Sequence, residues 1–143
     1  MTLRVLVVDD ERDTAESLAK LLTLSGHPAE PAYDAPSALS FAQEWHPYLV
    51  FLDLAMPNVD GYRLAEQLRL IPGMRDAVLV CLTGYAGPVY QKRARRVGFK
   101  HFLVKPVDPE GVVRLVGEIA EARQNATTSA GMLRCGSADN VPP

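Results

Sequence analysis

Five short apolar runs, each ending in polar residues and each followed by a stretch with helical periodicity, limit what this chain can fold into. The runs are Leu3–Val8, Ala29–Tyr33, Tyr48–Leu52, Ala77–Leu82 and His101–Val104, designated β1 to β5. Four of them lack the apolar–polar alternation of a half-buried strand, which suits strands covered on both faces of a parallel sheet. The intervening helical stretches, Arg12–Leu24, Ala35–Glu44, Gly61–Leu70, Pro88–Val97 and Pro109–Ala122, designated α1 to α5, supply the crossovers that parallel strands require. Pro28 and Pro31 flank and interrupt β2, and because proline cannot donate to a ladder this strand belongs at a sheet edge. The expected class is α/β, with a five-stranded parallel sheet covered by helices on both faces.

Helix punctuation agrees with these boundaries. Ala15, Leu18 and Leu22 form the apolar stripe of α1, and Gly26 stands where that helix should stop. Pro72-Gly73 closes α3, Gly98 ends α4, and Pro109 suits the first turn of α5. Beyond Arg123 the chain turns rich in Ser, Thr, Gly, Ala and Pro, too poor in large apolar groups to offset its ordering entropy. Residues 1–123 are therefore expected to form one domain and residues 124–143 a disordered tail.

Several function classes lose support from composition. A net charge of −2 suggests neither a nucleic-acid surface nor a polyacidic tail. No apolar run approaches the ~18 residues of a membrane span. The start, Met1-Thr2-Leu3-Arg4, enters a strand directly without a secretory signal, so a cytoplasmic protein is expected. Cys81 lies in an apolar run and Cys135 in the polar tail, which argues against a disulfide framework or a zinc site. Acids occupy the β1–α1 turn where a dinucleotide site would need a glycine-rich loop. His27, His46 and His101 are scattered without paired spacing, Trp45 reads as a packing aromatic, and Lys92, Arg93, Arg95 and Arg96 read first as a solvated face of α4 and second as a partner-docking patch.

Polar groups gather at the carboxyl ends of the strands, where open α/β sheets carry their chemistry. Asp9 and Asp10 follow β1, Asp53 follows β3, Thr83 follows β4 and Lys105 follows β5. An aspartate at one strand end is commonly a cap and nothing more; three carboxylates, a hydroxyl and an ammonium on one edge are a different matter. Crowded carboxylates raise one another's pKa and stay ionised together when a cation lies among them. Hard oxygen donors favour Mg²⁺, a metal that keeps open positions for phosphate oxygens. Lys105 and Thr83 are suited to phosphoryl oxygens, and Asp53 is the central nucleophile, so the chemistry expected is phosphoryl transfer to a carboxylate.

The motifs Val7-Val8-Asp9-Asp10-Glu11, Asp53-Leu54-Ala55-Met56-Pro57-Asn58-Val59-Asp60-Gly61, Leu82-Thr83-Gly84-Tyr85 and Val104-Lys105-Pro106-Val107 occur in order over about residues 3–122. Together they resemble the receiver domain of two-component response regulators, of the chemotaxis-regulator type. The resemblance implies a flavodoxin-like, doubly wound (βα)5 fold with strand order 2-1-3-4-5. It implies that Asp53 accepts a phosphoryl group from a phosphohistidine of a sensor histidine kinase or phosphotransfer protein. It assigns Asp9, Asp10 and Asp53 to Mg²⁺ together with the backbone carbonyl of Ala55, and Thr83 and Lys105 to the phosphoryl oxygens. Such a chain is no turnover enzyme in the usual sense, but catalyses its own phosphorylation and dephosphorylation.

Phe102, three residues before the lysine, takes the place of the family's switch aromatic, which is commonly tyrosine or phenylalanine; with Thr83 it would form the switch. Ala55 and Tyr85 hold the variable positions that influence the lifetime of the phosphoryl group. A dehalogenase-type phosphatase also forms an aspartyl phosphate, but it would need a second aspartate where Ala55 stands. The expected protein is a monomer or weak dimer without direct nucleic-acid contact or membrane insertion. With no effector domain expected after α5, output would pass to a downstream protein through the α4–β5–α5 face. A receiver module of a hybrid kinase, a phosphate sink and a phosphorylation-independent binding module are the alternatives.

Overall fold

The computed structural model describes residues 2–57, 59–84 and 88–135, with side chains omitted for 88–90 and 127–135. Its elements run β1 Val5–Val8, α1 Arg12–Leu24, β2 Ala29–Ala32, α2 Ala35–Trp45, β3 Leu49–Asp53, α3 Gly61–Leu70, β4 Val78–Thr83, α4 Pro88–Arg96, β5 Phe99–Val104 and α5 Pro109–Cys135. All strand pairs are parallel, in the order β2-β1-β3-β4-β5. This is the doubly wound order expected, with β2 and its Pro31 at the edge.

Because side chains alternate along a strand, the sheet sorts its apolar residues onto two faces. Leu6, Val8, Val50, Leu52, Leu79 and Cys81 share one buried cluster with Ala38 and Ala42 of α2, Leu64, Ala65 and Leu68 of α3, and Ala94 of α4. Their neighbours Val5, Val7, Leu49, Phe51, Val78 and Val80 are buried too, and α1 packs against β1 and β2 with Ala15, Leu18, Ala19 and Leu22 buried. Runs buried on both faces are why the strands read as continuous apolar stretches.

The starts of α2 and α3 are fixed by side-chain caps. Asp34 accepts the N–H of Ser37 at 2.8 Å at the head of α2, which holds its carboxyl below the usual carboxylate range. Asp60 accepts the N–H groups of Tyr62 and Arg63 at the head of α3. Gly61 beside it touches the end of β3 so closely that a Cβ would lie 2.7 Å from Leu54 Cδ2 and 3.0 Å from Leu54 Cα. Gly98, with φ of +106°, reverses the chain after α4 in a conformation that side chains resist.

Two strands begin two residues away from their expected positions. At β1 the N–H of Leu3 is taken by His27 Nδ1 at 3.2 Å, so the ladder starts at Val5, whose N–H donates to Pro28 O. At β5 pairing starts at Phe99, and the register shifts between Leu79 and Val80 so that Lys100 is passed over. That bulge hides the strand's first half from a search for unbroken apolar runs.

The described residues divide into a unit Thr2–Pro109, which contains the whole sheet, and a unit from Glu110 onward. Taken by itself, α5 buries Val112, Val116, Ile119 and Ala120, a stripe at helical spacing. The helix was expected to end at Ala122 and instead runs to Cys135. Residues 124–135 of the expected disordered tail are therefore helical, while 136–143 lie outside the described residues. No proline interrupts the sequence between Pro109 and Pro142, and a helix already nucleated extends at little cost.

Candidate phosphoryl-acceptor site

The strand order reverses at β1 and β3, and the site sits at the carboxyl end of those two strands, where a doubly wound sheet opens a crevice. Backbone hydrogen bonds continue the ladders one step past the strand ends. The N–H of Asp9 donates to Ala32 O at 3.0 Å, that of Leu54 to Leu82 O at 3.1 Å and that of Lys105 to Thr83 O at 2.9 Å. Asp9, Asp53, Thr83 and Lys105 are thus held by sheet geometry rather than by a free loop. The Lys105–Pro106 peptide bond is cis.

Asp9 is fully buried and Asp53 is 3 % exposed, whereas Asp10 is exposed. One carboxylate oxygen from each of the three lies within 4.8 Å of the others. Lys105 Nζ donates to Asp9 Oδ2 at 2.7 Å and to Asp53 Oδ2 at 3.0 Å. The other oxygens are also engaged: Asp9 Oδ1 accepts the N–H of Glu11 at 3.0 Å, and Asp53 Oδ1 accepts the N–H of Ala55 at 2.8 Å. Thr83 is buried at the end of β4, and Phe102 is half-buried on β5 with its register partner Cys81 in the adjacent strand.

The electrostatics leave the site one cation short. Burial raises the pKa of Asp9, and the hydrogen bonds from Lys105 and Glu11 counter this only in part, while the charge of Asp53 adds to it. Burial works against the Lys105 ammonium, but its hydrogen bonds and attraction to Asp9 and Asp53 outweigh that and raise its pKa. Both shifts hold protons in the site, as three carboxylates facing one ammonium require. The Cys81 thiol is pushed up to about 12, first by burial and then by the Asp53 charge, so it is an inert packing group. Three hard oxygen donors with excess negative charge fit a divalent cation such as Mg²⁺. A cleft of about 700 Å³ is lined by Glu11, Thr14, Leu18 and Leu21 and by Leu82, Lys105 and Val107.

All seven residues expected at the metal, the phosphoryl group or the switch are among the described ones. Asp9, Asp10, Asp53 and Lys105 converge, Ala55 reaches Asp53 through its N–H, and Thr83 and Phe102 stand on the two strands beyond β3. Tyr85 and Asn58 lie outside the described residues. Sequence reading missed Arg95, whose guanidinium carbon lies 5.4 Å from the centroid of the Phe102 ring. The basic run on α4 was its one visible signal.

A doubly wound sheet with this acid cluster and lysine at its switch point defines the class: a flavodoxin-like domain with a charged strand-end crevice. Comparison with known proteins makes that specific. The family model of the response regulator receiver domain matches residues 5–117, and the chain belongs to that family, whose members are the receivers of two-component signal transduction. An uncharacterised 14.6 kDa protein of Leptolyngbya boryana is 38 % identical over 112 residues, covering 78 % of this chain and 86 % of its own length. The response regulator Rre1 of Synechocystis is 34 % identical over 128 residues, which span 89 % of this chain but 55 % of Rre1. A CheY-like receiver domain protein from Methanospirillum hungatei superposes with a TM-score of 0.78 at 25 % identity, covering 88 % of this chain and 99 % of that one. Among the described residues no helix is long and apolar enough to cross a membrane.

Proposed function

We propose that the chain is a phosphoryl-accepting signalling switch in which Asp53 takes a phosphoryl group from a phosphohistidine of a sensor histidine kinase or phosphotransfer protein. The convergence of Asp9, Asp10, Asp53 and Lys105 at one strand-end edge carries this reading. Asp9, Asp10 and Asp53, with the Ala55 carbonyl, would hold Mg²⁺. Bound there, Mg²⁺ neutralises phosphoryl oxygens and lessens repulsion between an anionic donor and an anionic nucleophile.

The chain's own groups do the rest. A carboxylate oxygen of Asp53 attacks phosphorus as the bond from phosphorus to the imidazole nitrogen breaks, and the departing nitrogen keeps the electron pair. The N–H of Ala55 fixes the carboxylate's orientation. Lys105 then follows the charge from the carboxylates to the new phosphoryl oxygens, which the Thr83 hydroxyl also serves. Attack by water on the acyl phosphate returns Asp53 and releases phosphate. Movement of Thr83 toward the phosphoryl group leaves space for Phe102, and the altered α4 and β5 surface passes the signal to a protein partner. The reading places the work in the cytoplasm, where ATP charges the donor histidine.

A receiver module within a larger protein, or a phosphate sink, is the second reading. One observation favours it: the chain spans 55 % of Rre1 and 24 % of the response regulator PleD of Caulobacter vibrioides. Acetyl phosphate with Mg²⁺ tests the shared core of both readings. The wild type should gain one phosphoryl group and Asp53→Asn none; equal stable labelling of the two would sink the assignment.

A further inference from the structure

The helices that follow β2 and β3 start on capping aspartates, but α1 does not. Its N-cap residue, Glu11, makes no side-chain cap bond, and its carboxylate instead accepts the Thr14 hydroxyl. A helix start without a cap leaves N–H groups with no intrahelical partner, and such ends fray. Four acids within five residues, Asp9, Asp10, Glu11 and Asp13, add repulsion to that. Yet this turn carries two of the three carboxylates of the acid cluster. It is fastened from inside by one of them, since Asp9 Oδ1 accepts the Glu11 N–H at 3.0 Å.

From outside, Tyr33 holds the turn. It is the first residue past β2, and the ladder bond from the Asp9 N–H to Ala32 O brings it level with the acids. Arg12 and Glu16 stand about one helical turn apart on α1 and share a face. The Arg12 guanidinium carbon lies 4.1 Å from the centroid of the Tyr33 ring, and the Tyr33 hydroxyl donates to Glu16 Oε2 at 2.6 Å. The bond to Glu16 raises the phenol above its ordinary pKa, so the hydroxyl stays a donor throughout the neutral range. One ring thus grips the first turn of α1 at two points. Asp9 is buried and already held by Lys105 and Glu11, so the grip adds little there. Asp10 is exposed, and the place of its carboxylate is set by the backbone of the turn. Whatever freedom that backbone keeps must be given up when a ligand group is fixed on an ion.

We propose that Tyr33 is a positioning residue for the cation site, holding the first turn of α1 through Arg12 and Glu16 so that Asp10 meets the ion alongside Asp9 and Asp53. The inference rests on the phosphoacceptor reading in one respect, that a divalent cation occupies the acid cluster. Groups bonded directly to a metal ligand contribute about 10–100-fold to metal affinity. Tyr33 acts one step further out, through the helix backbone, so an effect of about three- to tenfold is expected.

Titration of the full chain with Mg²⁺, followed by the amide resonances of Asp10, Glu11 and Ala55, tests this without phosphate. Tyr33→Ala should raise the Kd for Mg²⁺ by about three- to tenfold. Tyr33→Phe keeps the ring under Arg12 and loses only the hydroxyl, so its Kd should fall between those of Tyr33→Ala and the wild type. Glu16→Gln keeps an acceptor for the hydroxyl and should stay close to the wild type. An Asp10→Asn background supplies the readout that a merely structural role would not move. There Tyr33→Ala should change the Kd by no more than about twofold, because the grip acts through Asp10. An unchanged Kd in Tyr33→Ala, or the same loss in both backgrounds, would overturn the proposal and leave the phosphoacceptor reading standing. A wild type whose resonances ignore millimolar Mg²⁺ would overturn both.

Discussion

Lys105→Met is the most informative single change, because it removes the one ammonium from a buried pair of carboxylates and keeps a flexible stem of similar length. At an effective dielectric of about 20, a contact at 2.7 Å attracts by about 6 kcal/mol and one at 3.0 Å by about 5.5 kcal/mol. Once they are gone, Asp9 and Asp53, within 4.8 Å of each other, repel by about 3.5 kcal/mol or more on the same scale. These gross terms are largely offset by the cost of drying the ammonium, and breaking a buried pair from one side nets about 3–5 kcal/mol. The Lys105 side chain is 25 % exposed, so water screens part of that loss. The expected loss is then about 2–4 kcal/mol. At about 2–4 °C per kcal/mol for a chain near this size, Tm should fall by roughly 4–16 °C in the absence of Mg²⁺. Millimolar Mg²⁺ should close much of the gap, since a cation among the carboxylates replaces the missing charge. Thermal and urea denaturation of both proteins, with and without Mg²⁺, read all of this. If Lys105→Met is as stable as the wild type without metal, or loses the same amount in both conditions, Lys105 is not compensating the two acids.

Three other outcomes are expected. Asp10→Ala should weaken Mg²⁺ binding by at least the order of tenfold, since even groups that merely orient a metal ligand contribute that much; equal stabilisation of mutant and wild type by Mg²⁺ would show that Asp10 is no ligand. Thr83→Ala should leave Asp53 able to accept phosphate while uncoupling the switch, so beryllofluoride should shift amide resonances of α4 and β5 far less than in the wild type. A chain truncated after Asn125 should keep its Tm and phosphorylation rate, because the last buried residue described on α5 is Ala120; a drop of several degrees would mean that the segment beyond it packs.

Much of the fold was legible because both faces of the sheet are covered. Continuous apolar runs such as Leu49–Leu52 can then be recognised without alternation, and each run points to its own strand end. Asp53 and Thr83 proved to be the last residues of their strands, and Asp9 and Lys105 the first residues past theirs, so the edge on which these groups meet was legible from the same signal. What stayed hidden depends on side-chain conformation and on distant chain segments. The pairing of Lys105 with Asp9 joins residues 96 apart, and nothing local specifies it. The start of β5 was obscured by the bulge at Lys100, and the end of α5 by a stretch without proline between Pro109 and Pro142. The hold of Arg95 on Phe102 could not be read from a run of basic residues, because which cation meets the ring is set by where α4 lies against β5.

The central claim is that Asp53 is the residue that carries the phosphoryl group. Treatment with acetyl phosphate and Mg²⁺, reduction of the acyl phosphate by borohydride and peptide mapping by mass spectrometry tests this most directly. The reduced residue should be found at position 53, at a yield that collapses when Mg²⁺ is chelated. A trapped residue at Asp9, Asp10 or elsewhere, or a yield at position 53 that is indifferent to Mg²⁺, would contradict the account.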